Sequence, residues 1–497
     1  MNDTYSDNKL DQLVAPSDWV NPTPQSRYHL VVIGGGPAGL VAAAGAAGLG
    51  AKVALIERHR LGGDCLIHGC VPSKALLKSA RMAANVRDAK RFGIEVPDGM
   101  RVDFAAVMQR MRDLRLSLAP NDAAERFRGL GVDVFFGEGR FVGADTITVS
   151  GQSLRFRRAV IATGSRPTIP TISGLRENGF FTNETIFSLN ELPKQLTVLG
   201  AGPIGCELAQ AFARFGSRVT LIASGPSILP KEDPVAAMLV ESAMQSEGVE
   251  ILRNSRLERI ERTENGTQLW LEPNIGVRGT EALLVAVGRT PNVDSLELNK
   301  AGIDFDPRDG VIVDDHFRTS NPRVFAAGDV CSKFKFTHAA DAMARIVLQN
   351  ALFPGRGKGS SLVIPRCTYT DPEIGTVGLT EAEARDRNIA VDVLIEELAH
   401  NDRAVLDGDT EGFAKVLLKR GTDQIVGATM VASNAGDMLN ELTLAMTAKL
   451  GLSTLAKTIH PYPTQTEVIK RLADQFQRRR LTPTVKKWFA RWFAWTA

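Results

Sequence analysis

A chain of 497 residues, 44% hydrophobic and 23% charged, is too long for one core and suggests about three domains of roughly 150 residues each. With 59 basic against 56 acidic residues and a net charge of +3, it lacks the field that would recruit nucleic acid over its whole surface, so no nucleic-acid partner is expected. No stretch reaches the ~18 consecutive apolar residues of a membrane span, and MNDTYSDNKLDQL has neither the basic nor the apolar region of a signal peptide, so a cytoplasmic protein is expected.

Residues 1–27 are polar, carry Pro16, Pro22 and Pro24 and show no sustained period, so they read as an arm or linker. From Tyr28 the strand pattern YHLVVI, the turn GGGPAG, the small-residue helix LVAAAGAAGLG and the strand KVALIE make a β-α-β unit. The same grammar returns in QLTVLG, AGPIG, CELAQAFARFG and SRVTLIA, so the chain holds two nucleotide-binding folds. Short apolar strands ending in glycine, AVIATGS at 159–165, LLVAVGRTPN at 283–292 and VFAAGD at 324–329, are placed to close a sheet beside a cofactor. From about 355 the pattern changes to the mixed strands and helices of an α+β domain, of the kind that builds dimer interfaces.

In the first unit Gly34, Gly36 and Gly39 form the G-x-G-x-x-G turn, and a helix starting near Pro37 would aim its free N–H groups at a pyrophosphate. Glu57, 23 positions after Gly34, stands where a strand end presents a carboxylate to a ribose hydroxyl. The second unit has Gly200, Gly202 and Gly205, but the same count lands on Ala223. Without a carboxylate to repel a 2′-phosphate, the second site favours NADPH, with Ser224 as a phosphate donor and NADH left open.

Five cysteines, at 65, 70, 206, 331 and 367, are too few and odd in number for a secreted disulfide framework. GGDCLIHGCVPSK sets Cys65 and Cys70 five apart at the start of a helical run, where the intervening loop lets the sulfurs meet and a helix N-terminus with Lys74 lowers a thiolate pKa. A zinc half-site or two structural thiols are the alternatives, although no second Cys/His cluster has metal spacing, and no metal is expected.

Two nucleotide folds, GGxCxxxxGCxPSK after the first, strands closed by ATGS and AAGD, and a C-terminal α+β domain resemble the pyridine nucleotide-disulfide oxidoreductases, the group of dihydrolipoyl dehydrogenase, glutathione reductase and mercuric reductase, over about residues 28–475. The resemblance implies an α/β fold with two Rossmann-like dinucleotide-binding domains plus a C-terminal α+β dimerisation domain. An FAD-binding domain would span 28–178, completed by 295–354, with an NAD(P)-binding domain at 179–294, a dimerisation domain at 355–475 and a tail at 476–497. It further implies a homodimer in which FAD lies along Gly34, Gly36, Gly39 and Glu57 with Thr163, Gly164 and Asp329, and NAD(P)H along Gly200, Gly202 and Gly205 with Gly288 closing its site. Lys74 would pair with Glu207 near the flavin ring, Cys70 would face the flavin as a thiolate, and Cys65 would be the interchange thiol. Cys206, Cys331 and Cys367 read as packing residues.

The family's disulfide reductases carry a His-Pro-Thr stretch with a nearby Glu, given by the other subunit to move protons at the interchange thiol. Here the segment is HPYPTQTE: Pro463, Thr464 and Glu467 match, but Tyr462 takes the histidine's place. A phenol of pKa ~10 is a poor base at neutral pH. Tyrosine at this place resembles mercuric reductase, although no vicinal cysteine pair stands near the C-terminus. His460 reads as a loop-packing residue and His68 as a solvent-facing one, with proton transfer or thiol tuning as the alternatives.

The expected function is therefore an NAD(P)H-dependent reductase of a disulfide, metal ion or other small acceptor, with a membrane-docked electron carrier for a quinone or protein partner as the alternative. The alternative rests on the tail, TPTVKKWFARWFAWTA, where Val485, Trp488, Phe489, Trp492 and Phe493 follow helical spacing with Lys486, Lys487 and Arg491 on the flanks. Such a helix lies at a membrane interface or docks on its own dimer.

Overall fold

The computed structural model describes residues 2–263, 266–272 and 276–496, so residue 497 of the tail lies outside it. The described chain groups into two compact units, one of residues up to Ser224 with Glu250–Leu362, the other of Gly225–Val249 with residues from Val363 on.

The first unit opens on helix α1 (Asn2–Val14), where the sequence reads as an arm or linker. Ser6, Leu10 and Val14 recur every four residues and are buried, so the helix is held by a narrow stripe rather than by intrinsic amphipathicity. Beyond it Trp19 packs edge-on against Phe136 at 5.8 Å and donates to the Val134 carbonyl at 3.1 Å, which fixes the rest of the arm. Then come β1 (Tyr28–Ile33), α2 (Pro37–Gly48), β2 (Val53–Glu57), α3 (Gly63–Ile67), α4 (Cys70–Arg87) and α5 (Phe104–Leu118), and α5 packs on both α1 and α4. Strands β3 (Val132–Phe136), β4 (Arg140–Gly143), β5 (Thr146–Val149) and β6 (Gln152–Ile161) follow.

These strands form one sheet in the order β3-β2-β1-β6-β5-β4, with Val324–Ala326 paired on β6. Its β3, β2, β1, β6 and 324–326 members run parallel, and all five residues of β2 are buried, as expected of a strand covered on both faces. The β-α-β plan repeats in strand Gln195–Leu199, helix Pro203–Phe215 and strand Arg218–Ile222. A four-stranded parallel sheet results, in the order Glu250–Leu252, Arg218–Ile222, Gln195–Leu199, Ala282–Val285. Helix Pro203–Phe215 packs on α4, which brings the second nucleotide fold against the cysteine helix.

The second unit is a five-stranded antiparallel sheet, Pro365–Thr368, Glu373–Gly378, Ile425–Ala432, Phe413–Lys419, Val391–Glu397, covered by helices that include Ala435–Thr447 and Glu467–Arg479. Helix Pro234–Ser246 belongs to it as well. Asp233 caps that helix and pairs with buried Lys415 at 2.7 Å, while Glu232 pairs with Arg366 at 2.9 Å. The sequence assigns 179–294 to one nucleotide domain; the contacts instead group 225–249 with the C-terminal unit, through ion pairs that span 182 and 134 positions.

Candidate active site

Each nucleotide turn is built from three glycines with three separate reasons. A Cβ on Gly34 would lie 2.3 Å from the Ala162 carbonyl, and one on Gly39 would lie 1.8 Å from the Gly34 carbonyl, so both positions admit only hydrogen. Gly36 is open, its nearest neighbour a Gly63 Cα at 3.8 Å, and it is the residue before α2, where backbone N–H groups are free for a phosphate. The second turn copies this: Gly205 would meet the Gly200 carbonyl at 1.9 Å, Gly200 would meet the Ala286 carbonyl at 2.5 Å, and Gly202 faces open space. The 286–288 turn thus lies against Gly200 as the ATGS turn lies against Gly34.

Glu57 ends β2 with one carboxylate oxygen accepting from the Gly35 N–H at 2.6 Å and the other from His59 N–H at 2.7 Å. Burial raises its pKa, and the two backbone donors oppose that shift. Each oxygen keeps a lone pair that a ribose hydroxyl can use. The turn at Thr163 and Gly164 is locked to Asn292: Thr163 donates to the Asn292 carbonyl at 2.8 Å, and the Asn292 N–H donates to the Gly164 carbonyl at 3.0 Å. Gly288 sits at φ +135°, and its carbonyl accepts from Thr168 N–H at 2.9 Å.

Arg289, which the sequence reading did not single out, ties these parts together. It donates to Ser165 Oγ at 2.8 Å and pairs with Asp64 at 3.1 Å and with Asp329 at 3.8 Å. Ser165 in turn donates to Asp329 at 2.6 Å. The residue before Cys65, the ATGS turn and the AAGD aspartate therefore share one guanidinium. The open Gly36, the α2 N-terminus and a polar-lined Asp329 fit a dinucleotide such as FAD along the first turn.

Cys70 is the first residue of α4, and Cys65 lies inside α3. Both are thiols, Cys65 half-buried and Cys70 exposed. A hydrogen bond from Cys65, another from Thr337, and the charge of Lys74 lower the Cys70 pKa and favour its thiolate. The same bond and burial push Cys65 up, leaving it the protonated partner. Thr337 Oγ1 stands 3.4 Å from the Cys70 sulfur; 267 positions away, it offered no local signal in the sequence. Lys74, one turn along from Cys70, holds Glu207 at 2.9 Å with Glu207 buried. No group of three or more His, Cys, Asp or Glu close enough for a metal exists among the described residues.

His68 is half-buried rather than solvent-facing, and burial together with Arg115, Arg60 and Arg289 pushes its pKa down to about 4. In the second unit, Tyr462 is exposed and donates to Asp402 at 3.0 Å. That bond raises the phenol's pKa, so still less of it is phenolate, the form that could act as a base, at neutral pH. His460 is buried with Nε2 3.1 Å from Glu441 and Nδ1 3.2 Å from the Thr458 carbonyl, so both ring nitrogens are engaged in holding the loop. Glu467 has one buried carboxylate oxygen with no hydrogen-bond partner among the described residues.

Residues 28–344 match the family model described as pyridine nucleotide-disulphide oxidoreductase, and 364–473 match the dimerisation domain of that family. Mercuric reductase of Lysinibacillus sphaericus is 34% identical over 456 residues, which is 91% of this chain and 83% of that one. Dihydrolipoyl dehydrogenase of Geobacillus stearothermophilus is 34% identical over 450 residues, 89% of this chain and 95% of that one. Among solved structures, the HOCl-induced flavoprotein disulfide reductase RclA of Escherichia coli superposes with a TM-score of 0.79 at 29% identity, covering 90% of this chain and 99% of that one. Since the family model and its dimerisation domain together cover most of the chain, this protein belongs to the pyridine nucleotide-disulphide oxidoreductases, enzymes that use FAD and NAD(P)H.

Proposed function

We propose that Cys65 and Cys70 are the redox-active pair of this homodimeric reductase, Cys70 as the thiolate beside the flavin and Cys65 as the interchange thiol. The observation that carries this reading is the place of Cys70 as the first residue of α4, 3.4 Å from Thr337 Oγ1 and one turn before the Lys74 that pairs with Glu207. Gly34, Gly36, Gly39, Glu57, Thr163, Gly164 and Asp329 would hold FAD, which would supply the relay of an electron pair from the nicotinamide to the cysteine pair. The disulfide of Cys65 and Cys70 takes up two electrons and two protons, and the outer thiol then exchanges with an acceptor. Anaerobic titration with NADPH tests the pairing: a long-wavelength thiolate–flavin band after two electrons supports it, and no band removes it.

The acceptor is a disulfide or a soft metal ion. Relatives named for mercury and for disulfides both match, and RclA is also described in a Cu(II) complex. Tyr462 weighs against fast exchange with small disulfides, because its proton is committed to Asp402. Tyr462→His is expected to raise turnover of lipoamide about tenfold or more, since imidazole titrates near neutrality and Glu467 has a carboxylate oxygen to orient it. No gain in a folded variant assigns the loop to another acceptor.

NADPH is the preferred donor. Ala223 stands where a repelling carboxylate would be, and its N–H and carbonyl bond Leu252 and Ser255 at 2.8 and 3.0 Å. This brackets Arg253 beside it, one residue past the register pair Leu252 and Ile222. Arg253 and Ser224 are the groups for the 2′-phosphate. Arg253→Ser is expected to lower kcat/KM for NADPH about tenfold, ~1.4 kcal/mol, while leaving NADH unchanged. A tenfold preference of the unaltered protein for NADH overturns the reading.

A second reading, contact of the tail with a membrane surface, is favoured by one observation. Helix Pro483–Thr496 buries none of its residues, and Trp488, Trp492 and Trp495 are 66%, 48% and 78% exposed. No helix among the described residues is long and apolar enough to cross a membrane.

A further inference from the structure

Residues 2–27 precede the family match at 28, yet α1 reaches the loop between the two cysteines. Asp7 on α1 pairs with Arg115 of α5 at 2.6 Å, and Arg115 is buried. A second N–H of the same guanidinium donates to the Ile67 carbonyl at 3.1 Å, the last residue of α3 and two positions after Cys65. A parallel tie runs from Asp11, which meets Arg60 at 2.6 Å, and from the Val14 carbonyl, which accepts from Leu61 N–H at 3.0 Å. The segment is thus tied to α1 on both sides of Cys65, directly at Arg60 and Leu61 and through Arg115 at Ile67.

We propose that α1 is a strap that sets the redox equilibrium of the cysteine pair, with Arg115 as its positioning residue. The physical reason is the change in spacing that the pair undergoes. Two thiols rest at van der Waals separation, whereas a disulfide draws the sulfurs to about 2.05 Å and constrains the Cβ atoms between them. Closing the bond releases two electrons and two protons, which glutathione disulfide takes up in the buffer as it becomes two glutathione thiols and the acceptor takes up in turnover; reopening the bond returns them from glutathione or from NAD(P)H. The loop 66–69 has to shift as the bond closes, and the carbonyl held by Arg115 is in that loop. Arg115 holds the Ile67 carbonyl with the two sulfurs unbonded, and a tie that resists the shift of the loop opposes closure of the bond. Asp7 fixes the guanidinium in the orientation that reaches Ile67, which a neutral residue at 7 does less well.

The inference rests on Cys65 and Cys70 being a redox pair, and the experiment separates the two claims. Full-length holoenzyme is equilibrated against glutathione buffers of stepped ratio, quenched in acid, and the Cys65–Cys70 disulfide is read by alkylation and mass shift. Asp7→Asn and Arg115→Gln are compared with Ser6→Ala, which alters α1 docking at Gln109 without touching Arg115. Asp7→Asn and Arg115→Gln are expected to shift the midpoint toward the disulfide by about tenfold in the equilibrium constant, the range of a charge-assisted hydrogen bond. Ser6→Ala should leave it in place. Should Arg115→Gln fail to fold, Asp7→Asn carries the test, because Arg115 remains to fill its site. Midpoints that coincide with the unaltered protein's, even if melting temperatures fall, reduce α1 to a packing element and overturn the proposal. A pair that forms no disulfide in the unaltered protein instead overturns the redox reading itself.

Discussion

Cys65→Ser and Cys70→Ser are each expected to lower NADPH-dependent turnover by about a thousandfold or more, the scale seen when one member of a catalytic unit is removed, while FAD stays bound at unchanged stoichiometry. Binding is expected to persist because the residues proposed to hold the flavin, the glycine turn, Glu57 and Asp329, do not lean on a sulfur. The two variants should differ in colour. Cys65→Ser keeps a hydroxyl that can donate to Cys70, and the Thr337 and Lys74 contributions remain, so the thiolate survives and its flavin band is present without any reductant. That band should fade as pH falls and the Cys70 thiolate takes up its proton. Cys70→Ser should show no band at any pH. Unaltered turnover in either variant, or a band in Cys70→Ser, removes the cysteine mechanism.

The parts of this site that were legible in the sequence are those where one short segment meets a rigid demand. A turn in which Gly39 would drive a Cβ to 1.8 Å of a carbonyl tolerates no other residue, so the glycine spacing is written locally and repeats at Gly200, Gly202 and Gly205. The cysteines are equally local, because a helix N-terminus and a five-residue interval bring them together. What escaped were groups whose roles depend on distant partners. Arg289 gathers Asp64, Ser165 and Asp329 only after the chain has folded. Thr337 reaches Cys70 from a helix whose sequence resembles any other. Helix α1 reads as an arm or linker because its buried stripe is two apolar residues and a serine, too thin to register as a period. His68 reads as a surface residue, since nothing around it in sequence announces the three arginines that fold in beside it.

Truncation after Leu481 is expected to abolish binding to anionic vesicles while leaving turnover of small acceptors unchanged. Helix Pro483–Thr496 carries Trp488, Phe489, Trp492 and Phe493 in exposed positions, with the ring pairs Phe489–Phe493 and Trp492–Trp495 at 6.3 and 5.6 Å. Rings stacked along a helix that buries nothing are stable only if they meet another surface or the headgroup layer, where indole sits with its N–H wet. Six basic residues, Arg478, Arg479, Arg480, Lys486, Lys487 and Arg491, lie on or next to that helix. Near an anionic surface each contributes on the order of 1 kcal/mol, and the attraction falls off within a Debye length. Full-length protein should therefore sediment with phosphatidylserine-containing vesicles at low salt, weaken as salt rises to several hundred millimolar, and bind neutral vesicles far less. The glycine turns and cysteines lie outside the removed segment, so the truncated chain should reduce its acceptor at the same rate. Full-length protein that stays in the supernatant with anionic vesicles at low salt makes the tail a packing element, and the membrane-docked carrier reading falls with it.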